Sequence, residues 1–152
     1  MKTAQLFRLS SPAFQNGDYI PQTYACDGRN ICPELDMGGL PEGTRSLALV
    51  LEDPDAPKGT FYHWVVWNIP AETKMIPEAC SPFGISGLNS ADDVGYVGPC
   101  PPTGVHHYVF RLFALNSMLD IPSDSRGEDL LKVIGRHTLE EARLVGLYER
   151  SN

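Results

Sequence analysis

The stretch Tyr108-Val109-Phe110-Arg111-Leu112-Phe113-Ala114-Leu115 decides the fold class, because it has the most regular strand pattern in the chain. Its alternate residues would lie on opposite faces of a β-strand. Two further apolar runs of strand length precede it, at residues 46–51 and 63–69. The first is apolar nearly throughout and is therefore predicted to be buried on both faces. The second is rich in aromatic and β-branched residues and stops at Pro70.

Turn-forming residues occur along the whole chain, which has 13 prolines and 14 glycines among 152 residues. This spacing is typical of many short elements and favours an all-β sandwich or barrel over a helix bundle. Two capping patterns, beginning at Ser125 and Thr138, predict short helices at roughly 127–136 and 139–149. No linker or repeat interrupts the chain, so residues 1–152 are predicted to form one mainly β domain, a sandwich with short C-terminal helices.

The composition excludes several classes of function. The formal net charge is −7, from 19 acidic and 12 basic residues, and lysine and arginine form no cluster. Such a surface repels nucleic-acid backbones and anionic membrane surfaces. No apolar run approaches the roughly 18 residues of a membrane span, and the first residues do not lead into a signal peptide. We therefore expect a cytoplasmic protein that binds no nucleic acid and does not insert into a membrane.

The four cysteines are Cys26, Cys32, Cys80 and Cys100, and no two of them form a Cys-x-x-Cys pair. A zinc ribbon or a thioredoxin-like motif is therefore not expected. A reducing cytoplasm predicts four thiols, although the even number leaves one or two disulfides open. Because Cys26 and Cys32 lie in one turn-rich loop, a redox-sensitive pair between them is a further hypothesis, and Cys100 is a third candidate redox thiol.

Two proline-stiffened loops deliver polar side chains to the ends of predicted strands. Residues 53–59 leave the first strand and lead towards His63, and residues 98–107 lead into the third strand. Proline restricts the backbone and lowers the entropy that is lost when a loop is held still. Both loops therefore suit a preformed site.

The polar residues of these loops form a candidate anion site. A carboxylate beside a histidine fixes the ring tautomer and favours the protonated ring. Asp53 or Asp55 would play this role for His63. With His106 and the Tyr108 hydroxyl, the group would supply several convergent hydrogen-bond donors, which are the requirement for binding a small anion.

Alternation along the third strand separates its two histidines. His106 shares a face with Tyr108, whereas the adjacent His107 points to the opposite face. His106 is therefore the candidate site residue. The competing interpretation is structural: residues 53–57 are also a turn sequence, and a single histidine at a strand end is often only solvated.

Four segments occur in an order and at a spacing that are specific as a set. The two longer ones are Asp53-Pro54-Asp55-Ala56-Pro57 with the histidine strand 63–70, and Gly98-Pro99-Cys100-Pro101-Pro102-Thr103-Gly104 with residues 106–110. The weaker ones lie at residues 24–35 and 144–150. From about residue 16 onwards the chain resembles the phosphatidylethanolamine-binding protein (PEBP) family, in particular a bacterial branch related to the Raf kinase inhibitor proteins.

The resemblance implies a sandwich of two antiparallel sheets with a small anion pocket at one end. It implies a pocket for phosphate, phosphorylated head groups and similar oxyanions, without an established reaction, cofactor or metal. In the bacterial branch homodimers are common. Two residues depart from the family pattern, His107 where arginine is usual and Cys32 where serine is usual. The pocket lining implied by the resemblance is Asp53, Asp55, His63, Pro101, Pro102, His106 and Tyr108.

The leading hypothesis is a binding module for a small anion or a phosphorylated protein partner, with a regulatory or inhibitory role in kinase-type signalling. Protonated His63 or His106 would supply the charge. One alternative is a hydrolase, with Cys100 and His106 as nucleophile and base or with a metal held by His63, His106 and an aspartate. The other is a kinase or protease inhibitor whose pocket is vestigial. Because no catalytic motif is recognisable, we expect no enzyme activity and no cofactor.

Overall fold

The structure is a computed structural model that describes residues 6–80 and 82–150. Two antiparallel sheets are present, which confirms the predicted mainly β sandwich. The three-stranded sheet has the order β1-β2-β5, and the five-stranded sheet has the order β6-β4-β3-β7-β8. The elements are β1 (Arg8–Ser10), β2 (Leu35–Gly38), β3 (Ser46–Asp53), β4 (Phe61–Pro70), β5 (Met75–Ile76), β6 (Ile85–Ser86), β7 (His106–Leu115), α1 (Gly127–Ile134) and β8 (Thr138–Tyr148).

The five-stranded sheet is buried on both faces, because one face packs against the small sheet and the other against α1. Strand β3 lies at its centre, and its consecutive residues point to opposite faces. Leu49, for example, belongs to the core on one face and Val50 to the core on the other. The prediction that this strand is buried on both faces is confirmed. Strand β7 shows the same alternation, with Phe110 on the small-sheet side and Phe113 on the α1 side.

The predicted helix at 139–149 is wrong, because this segment is the edge strand β8. It pairs antiparallel with β7 from Thr138 to Tyr148 and so provides hydrogen-bond partners for the β7 backbone. Its burial alternates, with Leu144 and Tyr148 buried and Arg143 exposed, which is the period of a strand. Thr138 does not cap a helix, because its hydroxyl donates to the Ile134 carbonyl at the end of α1, 2.8 Å away.

The predicted helix at 127–136 is confirmed as α1, although its cap lies one residue later than expected. The Asp129 carboxylate accepts the backbone N–H of Arg126 at 2.9 Å. The Ser125 hydroxyl donates instead to the Pro122 carbonyl at 2.6 Å. Within the described residues no helix is long and apolar enough to cross a membrane.

The strand order brings the ends of three strands together at one end of the large sheet. Strand β3 is antiparallel to both of its neighbours, so its last residue meets the first residues of β4 and β7. Asp53 pairs with Phe61 across β3 and β4, and Glu52 pairs with Val109 across β3 and β7. The two polar loops singled out in the sequence therefore meet at this end.

Candidate functional site

Asp53 and His106 form a buried pair at this end of the sheet. The His106 ring donates from Nδ1 to Oδ2 of Asp53 at 2.6 Å, and the two residues are only 8% and 3% exposed. The other Asp53 oxygen accepts the backbone N–H of Asp55 at 2.8 Å, which shapes the turn after β3. Asp53 thus orients the His106 ring rather than that of His63 and leaves Nε2 of His106 for other contacts.

His63 is held by the backbone instead of by a carboxylate. Its Nδ1 donates to the Val97 carbonyl at 2.8 Å, and its ring lies between Phe61 and Tyr108, at centroid distances of 4.7 and 5.4 Å. Burial of the ring is the largest cause that lowers the His63 pKa below its usual value. Protonated His63 or His106 was predicted to supply the charge of the site, and for His63 this environment favours the neutral ring.

We expect acid to destabilise the protein through His63. The folded-state pKa lies below the ordinary value of 6.5, so below that pH the unfolded chain takes up more protons than the folded protein. The contribution of His63 to stability is therefore complete above the ordinary pKa and is lost as the pH falls. Urea unfolding at about pH 7.5 and about pH 5.5 measures this loss. The free energy of unfolding should fall less for His63→Gln than for the wild type, and equal falls would contradict the assignment.

Both histidines line a cavity of about 330 Å³. Of the seven residues implied for the pocket, four line it, namely Asp53, His63, Pro102 and His106. The remaining lining residues are mostly apolar and form its walls: Ala56, Pro57, Phe61, Val97, Gly98 and Cys100. Of these the sequence had singled out only Cys100, as a candidate thiol. Strand alternation would have identified Phe61, which lies two residues before His63 on the same strand face.

The other three implied residues lie beside this cavity and not in its lining. Asp55 is exposed and accepts two hydrogen bonds from His107, at 2.8 Å from the backbone N–H and 2.7 Å from Nδ1. Pro101 is buried, and its carbonyl accepts from Arg150 Nε at 2.9 Å. His107 therefore faces outward as predicted and ties the loop after β3 to the outer side of β7.

The Tyr108 hydroxyl is fully buried beneath the two histidines. It lies close to Asp53, but within the described part of the chain it makes no hydrogen bond of acceptable geometry. Burial is the main cause that raises the Tyr108 pKa far above its usual value, and the Asp53 charge adds to it. Tyr108 therefore stays neutral. Its ring stacks on that of His106, with the two ring centroids 6.4 Å apart, and so supports His106.

Cys26 and Cys100 form a disulfide, which corrects the expectation of four thiols and that of a Cys26–Cys32 pair. The Cys26 backbone N–H also donates to the Pro99 carbonyl at 3.0 Å, so the two loops lie side by side. Cys100 is therefore no thiol nucleophile for His106 in this state. The Cys32 thiol is buried and donates to the Cys80 carbonyl at 3.5 Å, and burial raises its pKa.

The described residues offer no ready metal centre. Among residues 6–80 and 82–150, no three histidine, cysteine, aspartate or glutamate side chains are grouped so that they could hold an ion. The two ring Nδ1 atoms of the cavity histidines are occupied by Val97 and Asp53. What this arrangement offers chemically is two Nε2 atoms beside apolar walls.

A protein-family model described as phosphatidylethanolamine-binding protein matches residues 10–149. The chain belongs to the PEBP family. The match confirms the resemblance seen in the sequence and includes both polar loops. A PEBP protein of this kind is a binding protein, and the geometry above shows how this member builds its cavity.

Curated relatives of this PEBP chain carry names without a stated activity. A UPF0098 protein of Methanothermobacter thermautotrophicus is 43% identical over 148 residues, which cover 93% of this chain and 98% of the relative. A UPF0098 protein of Chlamydia pneumoniae is 39% identical over 149 residues and is covered to 99%. The similarity therefore spans nearly the full length of both relatives.

Two solved PEBP structures have the same fold. The PEBP homologue CT736 of Chlamydia trachomatis superposes with a TM-score of 0.91 at 36% identity, covering 95% of this chain and 98% of that one. YbcL of Escherichia coli, described as a member of the mammalian PEBP family, has a TM-score of 0.89 at 31% identity, covering 95% of this chain and 99% of that one. Both similarities support the two-sheet architecture described above.

Proposed function

We propose that this protein binds a small oxyanion, phosphate or a phosphorylated head group, in the cavity of His63 and His106. One observation carries the proposal. Each ring uses Nδ1 for a protein acceptor, 2.8 Å from the Val97 carbonyl and 2.6 Å from Asp53, so Nε2 of each remains for a ligand in one cavity. Each Nε2 becomes a hydrogen-bond donor once its ring carries a second proton, and two such charge-assisted donors in one cavity would suit a small oxyanion.

The charge for binding comes from the histidines. No lysine or arginine is among the described residues that line the cavity. Since burial favours the neutral His63 ring, an anion must recruit a proton to Nε2 when it binds. The apolar walls, including Phe61 and Val97, keep the local dielectric low and strengthen the resulting attraction. This mechanism selects a small anion and agrees with a net charge of −7, which repels long polyanions.

We expect sulfate to bind more tightly as the pH falls from about 8 to about 5.5, because His63 must take up the proton. Sulfate keeps its charge over this range, so the pH dependence reports the protein alone. Calorimetry measures it together with the proton uptake, in two buffers of different ionisation enthalpy. An affinity that does not change with pH would contradict the mechanism.

Histidine-resolved NMR locates the bound anion. With sulfate, phosphate or phosphoethanolamine at about pH 6, the His63 and His106 signals should shift together and saturate. His107 and His137 should not respond. His63→Ala should weaken binding about tenfold, the loss expected for one charge-assisted hydrogen bond, whereas the matched surface variant His107→Ala keeps the affinity. A response of no histidine would overturn the proposal and favour a scaffold with a vestigial pocket.

A further inference from the structure

A second cavity, of about 300 Å³, lies at the opposite end of the sandwich. It shares no lining residue with the histidine cavity. Leu47, at the start of β3, lines this cavity, whereas Asp53, at the end of the same strand, lines the other. The two residues are six steps apart along the strand, a distance of about 20 Å. The two cavities are therefore separate sites on one molecule.

The floor of the second cavity is the hydrophobic core itself. Leu47 is fully buried, Met37 is 7% exposed, and Phe7 packs against the same cluster. An aliphatic group inserted here would leave water and contact core side chains, which favours binding in proportion to the apolar area covered. The floor therefore suits a hydrocarbon chain.

Two cations at the side of this cavity have no carboxylate partner among residues 6–80 and 82–150. Arg8 and Lys74 line it, and the ion pairs found in the described part of the chain involve other basic residues. The Arg8 guanidinium lies directly over Gly38, where an added Cβ would be only 2.5 Å away. Glu72 is the one acidic residue among the described residues of the lining, which therefore carry a net positive charge in a protein of net charge −7.

We propose that this cavity binds an aliphatic carboxylate of medium chain length. The planar guanidinium of Arg8 can donate two parallel hydrogen bonds to a carboxylate, and Lys74 adds a second positive charge. The volume of about 300 Å³ lies at the small end of the range for ligand sites, which suits a small ligand such as octanoate. The apolar chain then lies against Phe7, Met37 and Leu47.

A titration with octanoate, followed by the backbone amide signals of Gly38 and Gly39, tests the proposal. Binding should saturate, and octylamine, with the same chain and the opposite charge, should bind at least about tenfold more weakly. Arg8→Gln and Lys74→Gln should each weaken octanoate binding about tenfold. The matched variants Arg136→Gln and Lys132→Gln, both at exposed positions, should leave it unchanged.

Four results would each overturn this proposal. The first is equal binding of octanoate and octylamine, and the second is an unchanged octanoate affinity in both Arg8→Gln and Lys74→Gln. The third is that octanoate shifts the signals of His63 and His106 and not those of the two glycines. The fourth is that the glycine signals shift on dilution of the protein without ligand. The last would show that a second copy of the chain covers the cavity. Because the readout is at Gly38 and Gly39, the result is independent of whether sulfate binds at the histidines.

Discussion

Replacing Cys26 and Cys100 together by serine should lower the free energy of unfolding by about 4 kcal/mol. The disulfide closes a loop between residues 74 apart in sequence, and a loop of that length restricts the unfolded chain by about this amount in the chain-entropy model. A loss of this size is a large part of the stability of a single domain. Urea unfolding of the wild type and of the double variant measures it.

Reductant provides the control for this prediction. It should lower the stability of the wild type towards that of the double serine variant and should leave the variant itself unchanged. Thiol counting in denaturant should find two thiols in the wild type without reductant and four with it, since one disulfide uses two of the four cysteines. Four thiols in both conditions would contradict the disulfide.

His106→Ala should weaken sulfate binding about 100-fold. The substitution removes the Nε2 donor and also leaves Asp53, which is 3% exposed, without the ring that accompanies its charge at 2.6 Å. The bare carboxylate then repels the anion. Removing one partner of a buried hydrogen-bonded charge pair costs about 2–5 kcal/mol of binding free energy. The free energy of a 100-fold change in Kd lies within this range. Calorimetry at about pH 6 gives the ratio of the two affinities.

A double variant separates the lost donor from the exposed carboxylate. Asp53→Asn in the background of His106→Ala removes the repelling charge, so it should recover about tenfold of the lost affinity. His107→Ala is the matched control, because its carboxylate partner Asp55 is exposed and lies outside the cavity lining. If the double variant binds as weakly as His106→Ala, repulsion by Asp53 is not part of the effect.

The C-terminal segment shows where sequence patterns were ambiguous. The capping pattern at Thr138 predicted a helix at residues 139–149, yet the segment is β8. The segment also has the alternation of a strand, in which Ala142, Leu144 and Tyr148 share one buried face. What selects the strand is the edge of β7, whose backbone groups need partners over ten paired positions. Such a requirement is non-local and is not visible within the segment.

The cysteines illustrate a second limit of sequence reasoning. Cys26 was predicted as a thiol or as a partner of the nearby Cys32, and both expectations rested on compartment and on closeness in sequence. Folding instead brings the two loops together at the side of the cavity, where the Cys26 backbone N–H reaches the Pro99 carbonyl at 3.0 Å. Distance in the fold, and not distance along the chain, decides which sulfurs meet.

The sequence by itself indicated the sandwich class, the family, and Asp53, His63 and His106 as candidate site residues, and the family resemblance added Pro102; all four line the cavity. These follow from local signals, because strand alternation, proline-rich loops and loop motifs are properties of neighbouring residues. Only the tertiary structure decided that Asp53 orients His106, that the Val97 carbonyl holds His63, and that Tyr108 supports the site from beneath. Those contacts join residues that are far apart in the chain, and they depend on the order and register of strands in the sheet, which no local pattern encodes.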